Sequence, residues 1–530
     1  MHTLGRCAVM SEAEVRTARG AVSLYFASVF SLVLNTVYLV VLTNLLPQSE
    51  VGVVALLNVL VIGIATFGAM AIPVVGAGLS ATPPAVARFS SQYIKSGNGR
   101  AARRVLLISL AFCSIISLLL ALLLTQGRVE SFLSIPQGAT AYAAIDGVLF
   151  ALGQVGAYSL IGTGSAGKAG VVLSVSALLR YLAASALLLA GDGAAGVFQG
   201  FIVGDLFLTV AGALLATRAI PSTGTSRVGR SLYPYMLSVM LSGLIGFGVS
   251  QSDRLLAFVQ TGLVNLSVYN IAAVAAAVAA FAPIAVTNAL VPTVATLTGA
   301  DGSQARTSIM RDYTRYVSLV ALPAGFGLAA LSPLLLLIFG QQYSAGGSLV
   351  AVMSIAIGLT SISSVYASSI LASGRTALFL LGNVLALVTL VVLSYLLVPF
   401  FGLLGIAYAR AAMLAVSLLA FALFVRGTGD LVLDVTGYAK SLVSSVIMFA
   451  VVYGLVVILS PHIDSRLAHV VFSLAMIPLG AVLFFVSMKV TRAFTQDDFD
   501  FLRRLLPAFL RPLVDLLRRM FLGPKRDEAF

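Results

Sequence analysis

Six charged side chains stand inside the long apolar runs of this sequence and are its strongest candidates for chemistry. They are Asp146, Arg180, Asp205, the adjacent pair Asp253 and Arg254 within "GLIGFGVSQSDRLLAFVQ" from Gly243, and Arg410. An ionised side chain that faces lipid costs at least about 2.5–3.5 kcal/mol, so such residues turn toward partners or a wet cavity and commonly mark substrate or ion pathways. We therefore predict that all six are substrate-binding or transport residues.

The two charge types predict two different tasks. A guanidinium binds a phosphate through a bidentate pair of N–H donors. Arg254 is therefore predicted to bind an anionic head group, with Asp253 holding or tuning that arginine. An inward carboxylate such as Asp205 or Asp253 is suited to carry a coupling H+ or Na+, and the sequence does not choose between these ions. The alternative for the Asp253–Arg254 pair is a helix end at the water interface.

Helix geometry places Arg180 and Asp205 at a common depth. At 1.5 Å per residue, Arg180 lies about 18 Å from the inner end of its helix, and Asp205 lies at a similar depth on the returning helix. A structural ion pair between them and a substrate contact by Arg180 both remain open. Asp146, Asp253, Arg254 and Arg410 fall in the outer halves of their helices. Several charges at similar depth favour a wet central cavity.

The composition defines the elements that must position these residues. The 530 residues are 59% hydrophobic and 10% charged, with a mean hydropathy of +1.05, whereas soluble domains are about 25% charged. The chain is therefore predicted to be an all-α polytopic membrane protein. Apolar spans of membrane length are predicted at 20–45, 51–78, 104–125, 140–162, 169–190, 195–217, 232–259, 267–290, 314–339, 346–372, 377–398, 402–425, 439–459 and 467–488.

The basic residues predict the orientation of these fourteen spans. With the N-terminus inside, Arg128 and Arg466 fall outside and Arg180, Arg254 and Arg410 fall within spans, while the rest of the 32 lysines and arginines fall inside. This is the positive-inside pattern. The net charge of +13 is thus a topology signal, and nucleic acid is not predicted as a partner. We expect a multi-pass protein of the plasma membrane with cytoplasmic N- and C-termini.

Motifs for soluble chemistry are nearly absent. "GTGSAG" from Gly162 matches a dinucleotide fingerprint, but it follows a membrane helix and is interpreted as a small-residue turn. Cys7 and Cys113 are too few and too far apart for a disulfide framework or a metal site. The sequence therefore predicts that the protein is not an enzyme and has no cofactor.

A constant offset near 208 residues predicts an internal duplication. Lys168 and Arg375 follow matching inner turns, and "GAAG" from Gly193 and "GLLG" from Gly402 follow as matching outer turns. Six-helix copies in the same orientation relate by an axis along the membrane normal. The predicted domains are a cytoplasmic N-terminal segment (1–19), two six-helix bundles (20–230 and 231–426), two additional helices (427–489) and a basic amphipathic cytoplasmic tail (490–530).

Four segments carry a resemblance to a known family: "PPAVARFSSQYIKSGNGRAARR", "SDRLLAFVQTGLVNLSVYNIA", "LIFGQQYSAGGSLVAVMSIAI" and "GLLGIAYARAA". They resemble segments of polysaccharide and oligosaccharide-lipid flippases of the multidrug/oligosaccharidyl-lipid/polysaccharide (MOP) exporter superfamily. The resemblance implies two pseudo-symmetric six-helix bundles around a central cavity, with two extra C-terminal helices. It also implies alternating access and transfer of a polyprenyl-(pyro)phosphate-linked oligosaccharide or polysaccharide repeat unit from the cytoplasmic to the outer leaflet.

The expected partners follow from this function: the lipid-linked glycan, membrane lipids and glycan-assembly enzymes, with the protein itself a monomer. Polar residues on spans that could meet sugars are Asn35, Gln154, Gln199, Gln251, Tyr269, Tyr366 and Tyr408. Two alternatives stay open. One is a cation-coupled small-molecule or multidrug exporter of the same superfamily, and the other is a membrane glycosyltransferase or polymerase.

Overall fold

The computed structural model describes residues 12–69, 84–133, 135, 138–280, 284, 300–426, 432–463 and 466–491, together with 512, 515 and 518. The described residues form α-helices and short 3₁₀ turns without a strand, which confirms the predicted all-α membrane fold. Pro73 and Pro283, which fall in predicted spans, and Pro292, which follows one, lie outside the described residues. So does nearly all of the predicted amphipathic tail.

Sixteen helices make up the described chain. In the first part they are α1 (Glu12–Leu45), α2 (Gln48–Gly68), α3 (Ala85–Lys95), α4 (Gly99–Leu124), α5 (Gly127–Leu133), α6 (Ala139–Gly162), α7 (Ala166–Ala190), α8 (Gly193–Ala219) and α9 (Leu232–Ala277). In the second part they are α10 (Ala300–Leu335), α11 (Gly347–Thr360), α12 (Ser363–Ala372), α13 (Thr376–Phe401), α14 (Leu403–Arg426), α15 (Val435–Leu459) and α16 (Arg466–Val490).

Thirteen helical segments within the described residues are long and apolar enough to cross a membrane. One of them, Leu232–Ala280, is 49 residues long, which is more than twice the length that one crossing needs. Gly262 interrupts it with φ 84° and ψ 178°, a backbone conformation that glycine adopts without steric cost. The parts on either side are about 45 Å and 27 Å long. This one segment thus covers the predicted span 232–259 and the first part of the predicted span 267–290, as far as residue 280.

The turns on which the predicted duplication rests have similar backbone geometry, and the duplication itself stays a prediction. Gly164 and Gly374 have φ values of 75° and 72°. Each donates its N–H to the carbonyl three residues earlier, and the following residue donates to the carbonyl five residues earlier. This is the Schellman pattern that ends a helix. Gly193 and Gly402, which open the matching outer turns, also have positive φ, at 59° and 55°.

The chain divides into two compact units. Unit one comprises 1–270 with 390–406, and unit two comprises 271–389 with 407–530. In unit one, α8 packs against both α6 and α7, α7 packs against α1, and α6 packs against α2 and α4. The predicted domain boundaries at 230 and 426 remain predictions.

Unit two is organised around α10. This helix packs against α11, α15 and α16 through an apolar core that includes Leu322, Phe326, Met448, Val452 and Met488. Asp434 accepts a hydrogen bond from the N–H of Gly437 at 3.0 Å and so caps the start of α15. The same carboxylate lies 2.9 Å from Nη1 of Arg315. Capping and ion pairing therefore fix α15 to α10 at one end.

Candidate functional site

Three of the predicted residues meet in a buried cluster of unit one. Arg180 on α7 forms an ion pair with Asp205 on α8 through Nη1 and Oδ2. Its Nη2 also lies 3.4 Å from Oδ2 of Asp146 on α6. Both aspartates are fully buried, and the Arg180 side chain is 10% exposed. The Arg180–Asp205 ion pair, one of the two alternatives left open by the sequence, is therefore present, and Asp146 is a second carboxylate partner. We call these three residues the Arg180 cluster.

Small residues explain how three helices bring these side chains together. Gly200 and Gly204 lie one turn apart on α8, the spacing that lets membrane helices approach closely. A methyl group added to Gly200 would lie 2.2 Å from the nitrogen of Ala184, and one added to Gly204 would lie 2.6 Å from Cβ of Arg180. One turn further along α8, Leu208 lies 2.5 Å from a methyl group added to Gly153 of α6. Close backbone contact with α6 and α7 thus positions Asp205 between their charged side chains.

Arg180 is enclosed on its remaining sides by aromatic rings. Its Cζ lies 3.9 Å from the ring centroid of Phe201 and 5.2 Å from that of Phe150, distances at which a ring face attracts a cation. Two carboxylates and two rings leave this guanidinium little surface for a further ligand. The geometry therefore favours an ion-pair role for Arg180 over a direct substrate contact.

Arg254 has a different environment on α9. Its Nε donates to Oδ1 of Asn270 at 2.8 Å, and its Nη1 donates to the carbonyl of Ser250 at 3.1 Å and to Oε1 of Gln251 at 3.2 Å. All three acceptors are neutral. Asn270 reaches Arg254 because the chain reverses at Gly262, which lies midway between the two residues.

The Nη2 group of Arg254 has no hydrogen-bond partner among the residues that the structure describes. The nearest carboxylate oxygen in a described ion pair, Oδ1 of Asp253, lies 3.9 Å from Nη1, beyond hydrogen-bond distance. The side chain is 15% exposed. Arg254 is therefore a cation held in place by neutral groups, with two N–H donors left for an anion.

Asp253 lies within hydrogen-bond distance of a tyrosine but not of the neighbouring Arg254. It is fully buried, and its Oδ2 accepts a hydrogen bond of 3.0 Å from the hydroxyl of Tyr269. Tyr269 is itself fully buried, a position that suits packing rather than contact with a sugar. Arg254 is instead held by hydrogen bonds to Asn270, Gln251 and the carbonyl of Ser250. Asn270 is not among the residues predicted from the sequence.

A sequence signal for Asn270 did exist. Gly262 stands midway between Arg254 and Asn270, and also nearly midway between Asp253 and Tyr269. An antiparallel hairpin centred on this glycine pairs both sets of residues. The predicted break between residues 259 and 267 contains Gly262, but the position of the break alone does not identify the residue pairs across the two helices.

The remaining candidates are divided between the two compact units. Arg410 belongs to unit two and is partly buried. Gln154 is fully buried and Tyr366 is nearly so, with its hydroxyl 3.5 Å from the carbonyl of Val432. Within the described part of the chain, no group of three or more His, Cys, Asp or Glu side chains is arranged to hold a metal ion.

Comparison with protein families gives a match over part of the chain. The family model for polysaccharide biosynthesis proteins matches residues 167–346. This segment begins at α7 and includes Arg180, Asp205, Asp253 and Arg254. No curated protein matches the chain.

Solved structures match over most of the chain at low sequence identity. An inward-facing multidrug resistance MATE family transporter of the MOP superfamily has a TM-score of 0.57 at 16% identity, covering 78% of this chain and 98% of its own. The Vibrio cholerae MATE transporter VcmN, as its D35N mutant, gives 0.54 at 16% identity with the same coverages. The lipid II flippase MurJ, in an inward closed conformation, gives 0.50 at 12% identity, covering 90% of this chain and 98% of its own.

These matches show the fold of the protein. The chain is a multi-pass membrane protein whose fold is similar to that of transporters of the MOP superfamily, which confirms the fold that the resemblance implied. The partial match to polysaccharide biosynthesis proteins agrees with the resemblance of the four quoted segments to polysaccharide and oligosaccharide-lipid flippases.

Proposed function

We propose that this protein is an alternating-access flippase of the plasma membrane. Its substrate is a polyprenyl-(pyro)phosphate-linked oligosaccharide or polysaccharide repeat unit, which it moves from the cytoplasmic to the outer leaflet. The observation that carries the proposal is Arg254, a partly exposed guanidinium in a membrane-spanning helix. Its hydrogen-bond acceptors are neutral, and its Nη2 has no hydrogen-bond partner among the described residues. Phosphate is the anionic group of such a substrate, and a guanidinium is its preferred partner.

The structural matches are compatible with a flippase and with a drug exporter, since they include transporters of both kinds. The lipid II flippase matches 90% of this chain, whereas the two MATE transporters match 78%. The family match to polysaccharide biosynthesis proteins supports a glycan as the cargo.

The Arg180 cluster supports cation coupling. One guanidinium balances only one of its two carboxylates, so the cluster carries a net negative charge unless it also holds a cation. Oδ1 of Asp146 and Oδ1 of Asp205 are buried and accept no hydrogen bond within the described structure. Two neighbouring carboxylates commonly share one proton. We assign the coupling H+ to this pair, with Na+ as the alternative cation.

A reconstituted transport assay tests the substrate class. Purified protein in liposomes would be given a fluorescent polyprenyl-pyrophosphate-linked oligosaccharide, and exposure of the fluorophore to a membrane-impermeant quencher would report flipping. Ethidium uptake into the same liposomes would report drug export. We expect protein-dependent flipping without ethidium transport. Ethidium transport without flipping would instead identify a multidrug exporter.

A further inference from the structure

A surface outside the candidate sites concentrates positive charge at one boundary of unit one. It consists of 85–104, which contains α3 and the start of α4, and 218–231, which contains the end of α8 and the linker to α9. We call it the basic elbow. Helix ends surround it: a methyl group on Gly162, at the end of α6, would lie 2.5 Å from the carbonyl oxygen of Ala87, and Leu232, at the start of α9, shares a core with Phe89.

The basic residues of the elbow have no acidic counterparts. They are all exposed: Arg88, Lys95, Arg100, Arg103, Arg104, Arg218, Arg227 and Arg230. The sequence has no aspartate or glutamate at 84–129 or at 206–252. Neither of the two segments that form this surface therefore contains an acidic residue that could balance its positive charge.

Hydrogen bonds hold the two segments together in one geometry. The N–H of Arg100 donates to the carbonyl of Thr223 at 2.9 Å, and its Nε donates to the carbonyl of Ser222 at 3.2 Å. Nη1 of Arg104 donates to the carbonyl of Ser226 at 3.4 Å. A methyl group on Gly99 would lie 1.9 Å from the carbonyl oxygen of Pro221, so the contact requires glycine. The linker thus orients two arginines of α4.

The basic residues of the elbow are held in a fixed geometry that a topology signal does not require. A positive-inside signal depends on the number of basic residues in a loop and not on their geometry. Here Arg88 also stacks on the ring of Tyr235, with Cζ 4.5 Å from the centroid, and the hydroxyl of Tyr93 accepts the N–H of Gly229 at 2.7 Å. Exposed basic side chains that are held in one geometry are suited to bind an anionic ligand, in addition to any role as an insertion signal.

The apolar face of α3 is already occupied by protein. Ala85 and Phe89 pack with Val105, Leu232 and Met236 in one core cluster. The helix therefore cannot bury that face in lipid, and any contact with the bilayer must be made by charge. Its 11 residues span about 16 Å, which is wider than one pyrophosphate group.

We propose that the basic elbow binds the headgroups of anionic phospholipids in the leaflet that borders it. Each basic residue near an anionic leaflet contributes about fivefold to the attraction. Because the cations are exposed, this attraction is screened by salt. The elbow is separate from Arg254, so this role does not rest on the proposed substrate.

A site-specific fluorescence measurement tests this role, since the chain contains no tryptophan. Gln92→Trp places a reporter on the exposed side of α3, and Ala377→Trp places a control reporter at an exposed position beside the lone base Arg375. Full-length protein would be reconstituted in phosphatidylcholine vesicles that contain brominated phosphatidylglycerol or, at equal fraction, brominated phosphatidylcholine. At position 92 we expect brominated phosphatidylglycerol to quench more strongly than brominated phosphatidylcholine, and we expect this difference to be larger than at position 377. The difference should vanish in about 1 M salt, where the screening length is about 3 Å.

Charge removal provides the second arm. Lys95→Gln/Arg103→Gln/Arg227→Gln removes three exposed charges without touching the hydrogen bonds described above, and should lower the preference for phosphatidylglycerol at least about fivefold. The control Lys168→Gln/Arg375→Gln/Arg426→Gln removes the same charge elsewhere and should leave it unchanged. Equal quenching by both lipids at position 92 would overturn the proposal. So would a preference that survives high salt or the elbow substitutions. The salt arm needs no charge-removal variant and decides the question even if the triple variant misfolds.

Discussion

Two arginines in unit one differ in how their charge is balanced. Arg180 contacts two buried carboxylates and two aromatic rings. Arg254 is held by an asparagine, a glutamine and a backbone carbonyl. A cation with two anionic partners stabilises the fold at its site, whereas a cation with neutral partners can still attract an anion. We therefore assign the phosphate contact to Arg254 and cation coupling to the carboxylates around Arg180.

Removing Arg180 should destabilise the protein. Arg180→Ala leaves Asp146 and Asp205 buried without their cation, and loss of one partner of a buried pair typically costs about 3–5 kcal/mol. We expect a lower yield and a lower unfolding temperature in detergent. Exchanging the charges with Arg180→Asp/Asp205→Arg should restore part of the yield. Normal yield and transport in Arg180→Ala would contradict both a structural and a functional role.

Neutralising Asp146 should separate coupling from folding. Asp146→Asn leaves one carboxylate for one guanidinium, so the cluster is balanced without a bound cation. We expect normal yield and flipping that no longer responds to a pH gradient across the liposome membrane. Asp192→Asn, at an exposed turn, is the control and should retain the response. A pH response in Asp146→Asn equal to that of wild type would remove the cluster from the coupling mechanism.

Asn270 should act by positioning Arg254. Asn270→Ala removes the acceptor of Nε and should raise the substrate KM for flipping while transport persists. Asn270→Asp places a carboxylate against the guanidinium and should impair transport more, because the phosphate then competes with a fixed anion. Asn265→Ala changes an exposed asparagine of the same helical segment and serves as the control. Equal flipping by all three variants would exclude this role for Asn270.

At the scale of helices, glycines decide which charges meet. The depth of Arg180 and Asp205 could be predicted from sequence because helical rise is constant. The involvement of Asp146 could not, because it depends on how far α8 is drawn toward α6. The close approaches at Gly153 and Gly204 provide that information, and helical periodicity alone does not contain it. Asn270 was missed for a related reason: its pairing with Arg254 depends on the reversal at Gly262.

A bulky residue at Gly204 should pull the cluster apart. Gly204→Val places side-chain atoms where Arg180 and the carbonyl of Ser176 lie, each only 2.6 Å from an added methyl group. We expect loss of both stability and transport, measured by thermal unfolding and by flipping. Gly454→Val on α15 is the control, since nothing lies within 4 Å of a methyl group added there. Equal stability of the two variants would contradict the packing argument.

At the scale of the whole molecule, the predicted class and number of spans follow from composition and span length. The long segment Leu232–Ala280 is divided at Gly262, and the turns at Gly164 and Gly374 repeat one backbone pattern. Which side of the membrane each turn faces is a prediction from the basic residues. The substrate could not be predicted from composition at all, because it depends on a few side chains within the spans.

Cysteine labelling tests the predicted orientation. Glycines of the turns are poor positions for an introduced cysteine. Gly193 and Gly402 have positive φ, and Gly99 is packed against Pro221. Asp192→Cys and Phe401→Cys, each in a background without Cys7 and Cys113, should react with an impermeant maleimide on intact cells. Lys95→Cys and Arg375→Cys should react only after the cells are opened. Labelling of Lys95→Cys on intact cells would reverse the orientation and the direction of transport.

The most direct test of the proposed function is flipping of the fluorescent lipid-linked oligosaccharide by Arg254 variants in liposomes. Arg254→Ala should abolish flipping at normal yield, and Arg254→Lys should restore only part of it, since a point charge lacks the bidentate fork. Arg375→Gln, an exposed arginine at a turn, should flip like wild type. Wild-type flipping by Arg254→Ala would contradict the account and leave the Asp253–Arg254 pair as a structural feature of α9.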